Sequence, residues 1–336
     1  MKAVVLDGPR RISLIEIPDP KPHEGWPLIK IKAAGICGSD VNSYQGNGQV
    51  LNYPIVLGHE AAGEIVEVTG DSPFKQGDEV IIEPYLYCGK CYPCSIKQRN
   101  CCEVLKCLGV HSDGAMSEYI THPESLLHKK PDGMSWEHAA FVEPLAIATH
   151  GVHRVRAKEG EYGVIIGAGT IGILTALYLK HIGAIPVLID ILESRLEIAR
   201  NLGIANTILS GGTAPVEEVS RITGGRLAET VFEISGSISG IADTLNLASY
   251  AGRISLTGWP SGKPELETAR ITRRELIIYG SRNSAGEFPE AIGLIHENKI
   301  PADKIITNTI EFKGLPDVIL KIAENPAKTL KSIAVM

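Results

Sequence analysis

Aromatic side chains make up only 5% of the 336 residues, too few to line a large apolar pocket for a bulky ligand. Positive charge is not in excess either, with 33 Lys and Arg against 39 Asp and Glu and a formal net charge of −6. That balance supplies no basic field for nucleic acid or an anionic lipid surface. The sequence has no run of about 18 apolar residues to cross a bilayer. Its opening stretch, MKAVVLDGPRRISLIEI, alternates like a strand and lacks the apolar core and cleavage site of a secretory signal. These absences lead to the expectation of a soluble cytoplasmic protein with no nucleic-acid or membrane partner, in a compartment where thiols stay reduced.

What is present is enough chain for two domains with ordinary hydrophobic cores, which need no disulfides for stability. Through the first 130 or so residues, short strand-like segments such as KAVVLDG, PLIKIKAAG, AAGEIVEVTG and DEVIIEP alternate with Gly, Pro and Asp. They predict a β-rich, barrel-like domain. Near Trp136 the texture becomes helical, in SWEHAAFVEPLAIATHGVHRV. From Tyr162 strands and helices alternate: YGVIIGAG then TIGILTALYLKHIG, PVLID then ESRLEIARNLG, TVFEIS then ISGIADTLNLASYAG. This alternation predicts a parallel sheet with crossover helices, an α/β class.

Five of the seven cysteines fall in CGKCYPCSIKQRNCC, residues 88–102. In a reducing compartment such a cluster reads as metal ligands rather than disulfides. Cys88, Cys91, Cys94 and Cys102 follow C-x2-C-x2-C-x7-C, short gaps that let one loop wrap a tetrahedral ion in a closed, structural shell. Cys101 adjoins the last of them, and spacing alone does not choose between the two. Cys107 reads as a small buried or spare residue. The glycine-rich run Gly167-Ala168-Gly169-Thr170-Ile171-Gly172 follows the apolar strand-like Val164-Ile165-Ile166 and opens a helix. Such a turn brings backbone N–H groups and a helix N-terminus to a pyrophosphate. Asp190 ends the next strand 18 residues after Gly172, close to the roughly 20-residue spacing of a ribose-binding acid, and its charge favours NAD over NADP. Arg195 is expected along the adenine or on the exposed helix face.

GICGSD carries Cys37, Ser39 and Asp40, LGHEAAG carries His59 and Glu60, and VEPLA carries Glu143. Singly, each has an ordinary structural reading. Their order, with the four-cysteine lobe and GAGTIG, resembles the zinc-dependent medium-chain dehydrogenases, in the branch of sorbitol, threonine and sugar-acid dehydrogenases. The resemblance spans essentially the whole chain. It implies a GroES-like catalytic domain (1–146, with the zinc lobe at 84–107), a Rossmann NAD-binding domain (147–282) and a C-terminal return to the catalytic domain (283–336). It further implies a catalytic zinc held by Cys37 and His59, with Glu60 and Glu143 as direct or water-mediated ligands, and it selects Cys102 over Cys101. Adjacent His59 and Glu60 can both reach one ion only if the backbone bends between strand faces.

A catalytic zinc needs about three protein ligands and an open position, where a substrate hydroxyl is acidified. Ser39 is then the expected first proton acceptor, and Asp40 the group that orients His59. Many members of the family carry His three residues after the Ser. This chain has Asn42, which cannot titrate near neutrality, and His111 or His150 are alternative exits for the proton. In YGSRNSAGEFPEAI, Arg282 stands where sorbitol dehydrogenases place a substrate-contacting Arg, able to pair with hydroxyls or a carboxylate; Tyr44 is a second candidate pocket residue. The expected activity is oxidation of a secondary alcohol of a polyol or sugar acid by NAD. L-Threonine 3-dehydrogenase is the rival enzyme, and a zinc- and NAD-binding protein without turnover is the rival from another class. The family implies a homo-oligomer, tetramer or dimer.

Overall fold

A computed structural model describes residues 1–48, 52–211, 215–260 and 262–336. The chain forms two compact units, Met1–Glu143 with Phe288–Met336, and Pro144–Glu287. The divisions fall inside the helix Val142–Val155 and after the 281–287 loop. That loop is tied into the second unit: the Ser281 amide donates to the Leu256 carbonyl, and Glu287 binds His150 at 2.9 Å.

The first unit is built on a mixed sheet. Its order is Leu127–Lys129, Glu79–Ile82, Glu60–Glu67, Leu28–Ile36, Lys331–Val335 and Ile306–Glu311, with Tyr119–Thr121 also pairing with Leu28–Ile36. Alternating apolar residues of these strands, among them Ile29, Ile31, Ile65, Val80 and Ile82, fill a core closed by Leu315 and Ile319 of the helix Leu315–Glu324. The tail therefore completes the sheet: Lys331–Val335 runs antiparallel to Leu28–Ile36, with Ala334 opposite Ala34.

In the second unit six parallel strands lie in the order Asn206–Leu209, Ile185–Asp190, Tyr162–Ile166, Ala228–Glu233, Ala248–Leu256 and Ile277–Gly280. Strand order reverses between Tyr162–Ile166 and Ala228–Glu233, the doubly wound arrangement in which ligands bind beyond the carboxyl ends of the strands. One helix is shorter than its apolar pattern predicts. It spans Ile238–Leu247, and the ASYAG that follows belongs to the strand Ala248–Leu256. Ala248 pairs with Ala228 in the sheet, and Arg274 donates to the carbonyls of Leu245 and Ala248, satisfying the helix end. No helix among the described residues is long and apolar enough to cross a membrane.

Candidate metal and cofactor site

Cys37 sits where the strand Leu28–Ile36 gives way to the helix Gly38–Gln45, as its N-cap. His59 lies just ahead of the strand Glu60–Glu67 rather than within it, so strict alternation of faces does not apply to the His59-Glu60 pair. Ligand atoms of Cys37, His59 and Glu60 all lie within 4.8 Å of one another. Gly35 makes room for this, because a Cβ there would run into the Glu60 carboxylate. The imidazole Nδ1 of His59 is buried and has no hydrogen-bond partner among the described residues. A buried imidazole grouped with a thiol and a carboxylate is a donor set that fits a zinc ion.

Electrostatics point the same way. Burial by itself would lower the His59 pKa, yet the negative charges of Cys37 and Asp40 outweigh it and raise it well above the ordinary value. The pocket thus attracts a cation, and a metal that binds there displaces the imidazole proton. Burial raises the Asp40 pKa, with Glu60 adding to it against His59 and the Cys37 amide.

The expected orienting bond from Asp40 to His59 is not made. Asp40 Oδ1 stands 3.9 Å from Nδ1, too far for a hydrogen bond. Its other oxygen accepts from the Cys37 amide at 2.9 Å and caps the helix that carries Cys37. Asp40 therefore hydrogen-bonds the cysteine's backbone and acts on the imidazole through its charge alone. Ser39 Oγ is 3.5 Å from His59 Nε2.

Glu143, in the first turn of the helix Val142–Val155, is buried near this group but outside it. It accepts a hydrogen bond from the Tyr85 hydroxyl through Oε1, and its Oε2 has no partner among the described residues. Burial pushes its pKa up to about 7, Glu60 adding to the shift and His59 opposing it. Glu60 pairs instead with Lys331, from the last strand of the sheet, which also donates to the Ile36 carbonyl at 3.1 Å. Neither Tyr85 nor Lys331 belongs to a recognisable local motif, and sequence reasoning missed both. Cys107, whose thiol burial pushes up to about 12, faces the charges of His59, Glu143 and Cys37.

In the lobe, the sulfurs of Cys88, Cys91, Cys94 and Cys102 lie within 4.8 Å of one another, while Cys101 is exposed and outside the group. Cys91 Sγ is 3.4 Å from Cys94 Sγ and 3.8 Å from Cys102 Sγ, so the thiols are clustered without being joined. Amides point at the sulfurs, from Cys88 to Cys102 at 3.3 Å and from Cys91 to Cys88 at 3.4 Å. The amides of Lys90 and Cys91 lower the Cys88 pKa to about 6, and burial raises that of Cys94 to about 12. This donor set fits a closed tetrathiolate zinc site.

In the second unit Gly167 takes φ +105°, and a Cβ on Gly172 would strike the Gly167 carbonyl. The turn so formed has Gly169 as N-cap of the helix Thr170–His181, with Thr170, Ile171 and Gly172 in its first turn. Asp190, ending its strand, accepts from the Ala168 amide at 2.6 Å and the Leu192 amide at 2.8 Å. Its carboxylate is thereby held rigidly at the glycine-rich loop. Arg195 Nη1 lies 3.2 Å from where a Gly169 Cβ would project. These groups fit a dinucleotide at the helix N-terminus.

Tyr44 packs against the core of the first unit, and Arg282 is exposed after the edge strand of the second. Asn42 is exposed; His111 Nδ1 accepts from the Cys107 amide at 3.0 Å, and His150 is bound to Glu287.

Similarity to known proteins agrees with this geometry. The family described as "Alcohol dehydrogenase GroES-like domain" matches residues 23–132, and "Zinc-binding dehydrogenase" matches residues 170–297. An uncharacterized zinc-type alcohol dehydrogenase-like protein of Haemophilus influenzae is 46% identical over 100% of this chain and 98% of its own. L-Galactonate-5-dehydrogenase of Escherichia coli is 32% identical over 99% of this chain and 98% of its own. The crystal structure of an alcohol dehydrogenase from Escherichia coli CFT073, complexed with NADH, superposes with a TM-score of 0.93 at 32% identity, covering 100% of this chain and 99% of that one. A GroES-like unit holding a Cys-His-Glu cluster and a tetracysteine lobe, together with a Rossmann unit, places this chain in the zinc-dependent medium-chain alcohol dehydrogenase family.

Proposed function

We propose that this chain oxidises a secondary alcohol of a polyol or sugar acid to a ketone, with NAD as acceptor. The observation that carries the reading is the mutual approach of Cys37, His59 and Glu60 within 4.8 Å beside the half-satisfied Glu143. When bound, zinc supplies Lewis acidity toward a substrate hydroxyl, and NAD accepts the hydride. The chain's own residues do the rest. Cys37, His59 and Glu60 would hold the metal, three protein ligands being the number a catalytic zinc takes beside its substrate. Ser39, at 3.5 Å from His59, takes the hydroxyl proton. Asn42 cannot carry that proton onward by titration, so it leaves through water.

Cys88, Cys91, Cys94 and Cys102 hold a second, structural zinc. Gly167–Gly172 seats the pyrophosphate, and Asp190 accepts from the adenosine ribose hydroxyls and repels a 2′-phosphate. Arg282 and Tyr44 recognise the substrate; a bidentate Arg–carboxylate pair suits a hexonate. Similarity along nearly the full length to L-galactonate-5-dehydrogenase supports a sugar acid. The edge strand Ile277–Gly280, with Ile277 and Tyr250 exposed, supports assembly of a homodimer or homotetramer through the Rossmann unit.

The test is NADH formation across hexitols, hexonates, threonine and simple secondary alcohols, each with NAD and NADP. The expected result is the highest kcat/KM for a hexonate or hexitol with NAD. Absence of turnover across the panel in zinc-loaded protein overturns the enzymatic reading, and a preference for threonine overturns the substrate class.

A further inference from the structure

From the Tyr85–Glu143 contact we infer that Tyr85 is a positioning residue of the metal site, holding Glu143 beside the metal ligands rather than among them. The inference rests on the function proposed above. Tyr85 is 3% exposed and lies on the two-residue strand Tyr85–Leu86, which pairs with Lys106–Cys107. That pairing fixes the phenol from the backbone. Its hydroxyl donates to Glu143 Oε1, while Oε2 of the same carboxylate has no partner among the described residues although Glu143 is 2% exposed.

A buried carboxylate oxygen left without a partner is costly enough that native proteins rarely keep one unfilled. Glu143 feels the charges of His59, Glu60 and Lys331, so a metal held at this cluster, or a hydroxyl bound to that metal, would be the group to fill it. Cys37, His59 and Glu60 would by themselves supply the three protein ligands that a catalytic zinc needs. A fourth from Glu143 would close the site and exclude the substrate. The Tyr85 hydrogen bond restrains one oxygen and so limits rotation of the carboxylate toward the cluster. It leaves Oε2 to receive a hydrogen bond from the reacting hydroxyl. Tyr85 thus protects the vacancy on which turnover depends, without touching substrate or metal.

Cobalt(II) in place of zinc reports coordination through its visible spectrum, and the readout needs no turnover. In Tyr85→Phe the freed Glu143 enters the coordination shell. The cobalt spectrum shifts, release of the metal to a chelator slows several-fold, and the KM for the alcohol rises by about tenfold, the scale of one lost hydrogen bond. In Glu143→Gln, which keeps an acceptor for Tyr85, the spectrum stays that of the wild type, whereas Glu60→Gln alters it. The double variant Tyr85→Phe/Glu143→Gln returns the metal release rate to that of Glu143→Gln. An unshifted spectrum in Tyr85→Phe, or a shift that persists in the double variant, overturns the inference. So does a Glu143→Gln spectrum altered like that of Glu60→Gln, and this holds even if Tyr85→Phe does not fold. A wild-type protein that binds cobalt with these spectra but turns over no alcohol defeats the proposed function instead, so the two failures are distinguishable.

Discussion

Lys331 and Glu60 form an ion pair in which the two side chains are only 2% and 1% exposed. Burial alone would lower the lysine's pKa, but Glu60 and Cys37 outweigh it and keep it charged. Removing one partner of a buried pair strands the other charge, typically at a cost of about 3–5 kcal/mol. Lys331→Met should therefore destabilise the metal-free protein by about that amount. In zinc-loaded protein the loss should be markedly smaller, because the ion supplies Glu60 with a counter-charge. Chemical unfolding with and without chelator measures both, and equal losses in the two forms would refute the link between Glu60 and the metal.

Cys101 and Cys102 are neighbours in sequence and opposites in environment, one exposed and the other buried in the cluster. Cys102→Ser should lower the zinc content by about one ion per chain and cost several kcal/mol, since metal affinity in such a lobe is folding energy. Cys101→Ser should change neither. Elemental analysis and thermal melts of the two variants decide it.

His122 is fully buried, and its Nε2 lies 2.8 Å from the Glu83 carbonyl. A carbonyl only accepts, so Nε2 carries the proton of a neutral ring. Burial lowers the pKa from 6.5 to about 4. The unfolded chain takes up a proton near pH 6.5 and the folded chain does not until about pH 4, so stability falls as pH drops through that window and levels off below it. The full loss is about 3 kcal/mol. His122→Gln should flatten this slope when urea unfolding of metal-free protein is followed from pH 7 to pH 4; an unchanged slope would show that other groups dominate.

Asp190 anchors the glycine-rich loop through the Ala168 amide and the start of the following helix through the Leu192 amide. Asp190→Asn keeps one acceptor for those amides but removes the charge. The KM for NAD should rise by about tenfold and the preference over NADP should narrow, as expected for a charge-assisted bond worth about 1.5 kcal/mol. Steady-state kinetics with both cofactors check this, and an unaltered NAD/NADP ratio would mean that Asp190 does not select the cofactor.

Much of the site is legible in the sequence because its ligands come in short local packets. GICGSD, GHE and the C-x2-C-x2-C lobe each fold around their own backbone turns, and the alternation after Tyr162 announces the parallel sheet. What stayed hidden is tertiary. Lys331 reaches Glu60 only because the tail strand inserts beside Leu28–Ile36, and Tyr85 meets Glu143 across 58 residues of chain. Asp40 was legible only in part, with one oxygen 3.9 Å from His59 Nδ1 and the other on a backbone amide. Its residue type suits an imidazole partner, but the nearer unsatisfied group is the backbone N–H of Cys37, and helix capping took the carboxylate. The helix after Ser237 ends early because strand pairing at Ala248 outcompetes the continuing apolar pattern.

The insertion of Lys331–Val335 between Leu28–Ile36 and Ile306–Glu311 also orders events on the ribosome. The unit Pro144–Glu287 is one uninterrupted stretch and can close as soon as it emerges. The other unit must wait, with Glu60 lacking its lysine, until that strand has been translated and docks. A chain cut short before Lys331 would thus hold all of Pro144–Glu287 and still lack the partner of Glu60.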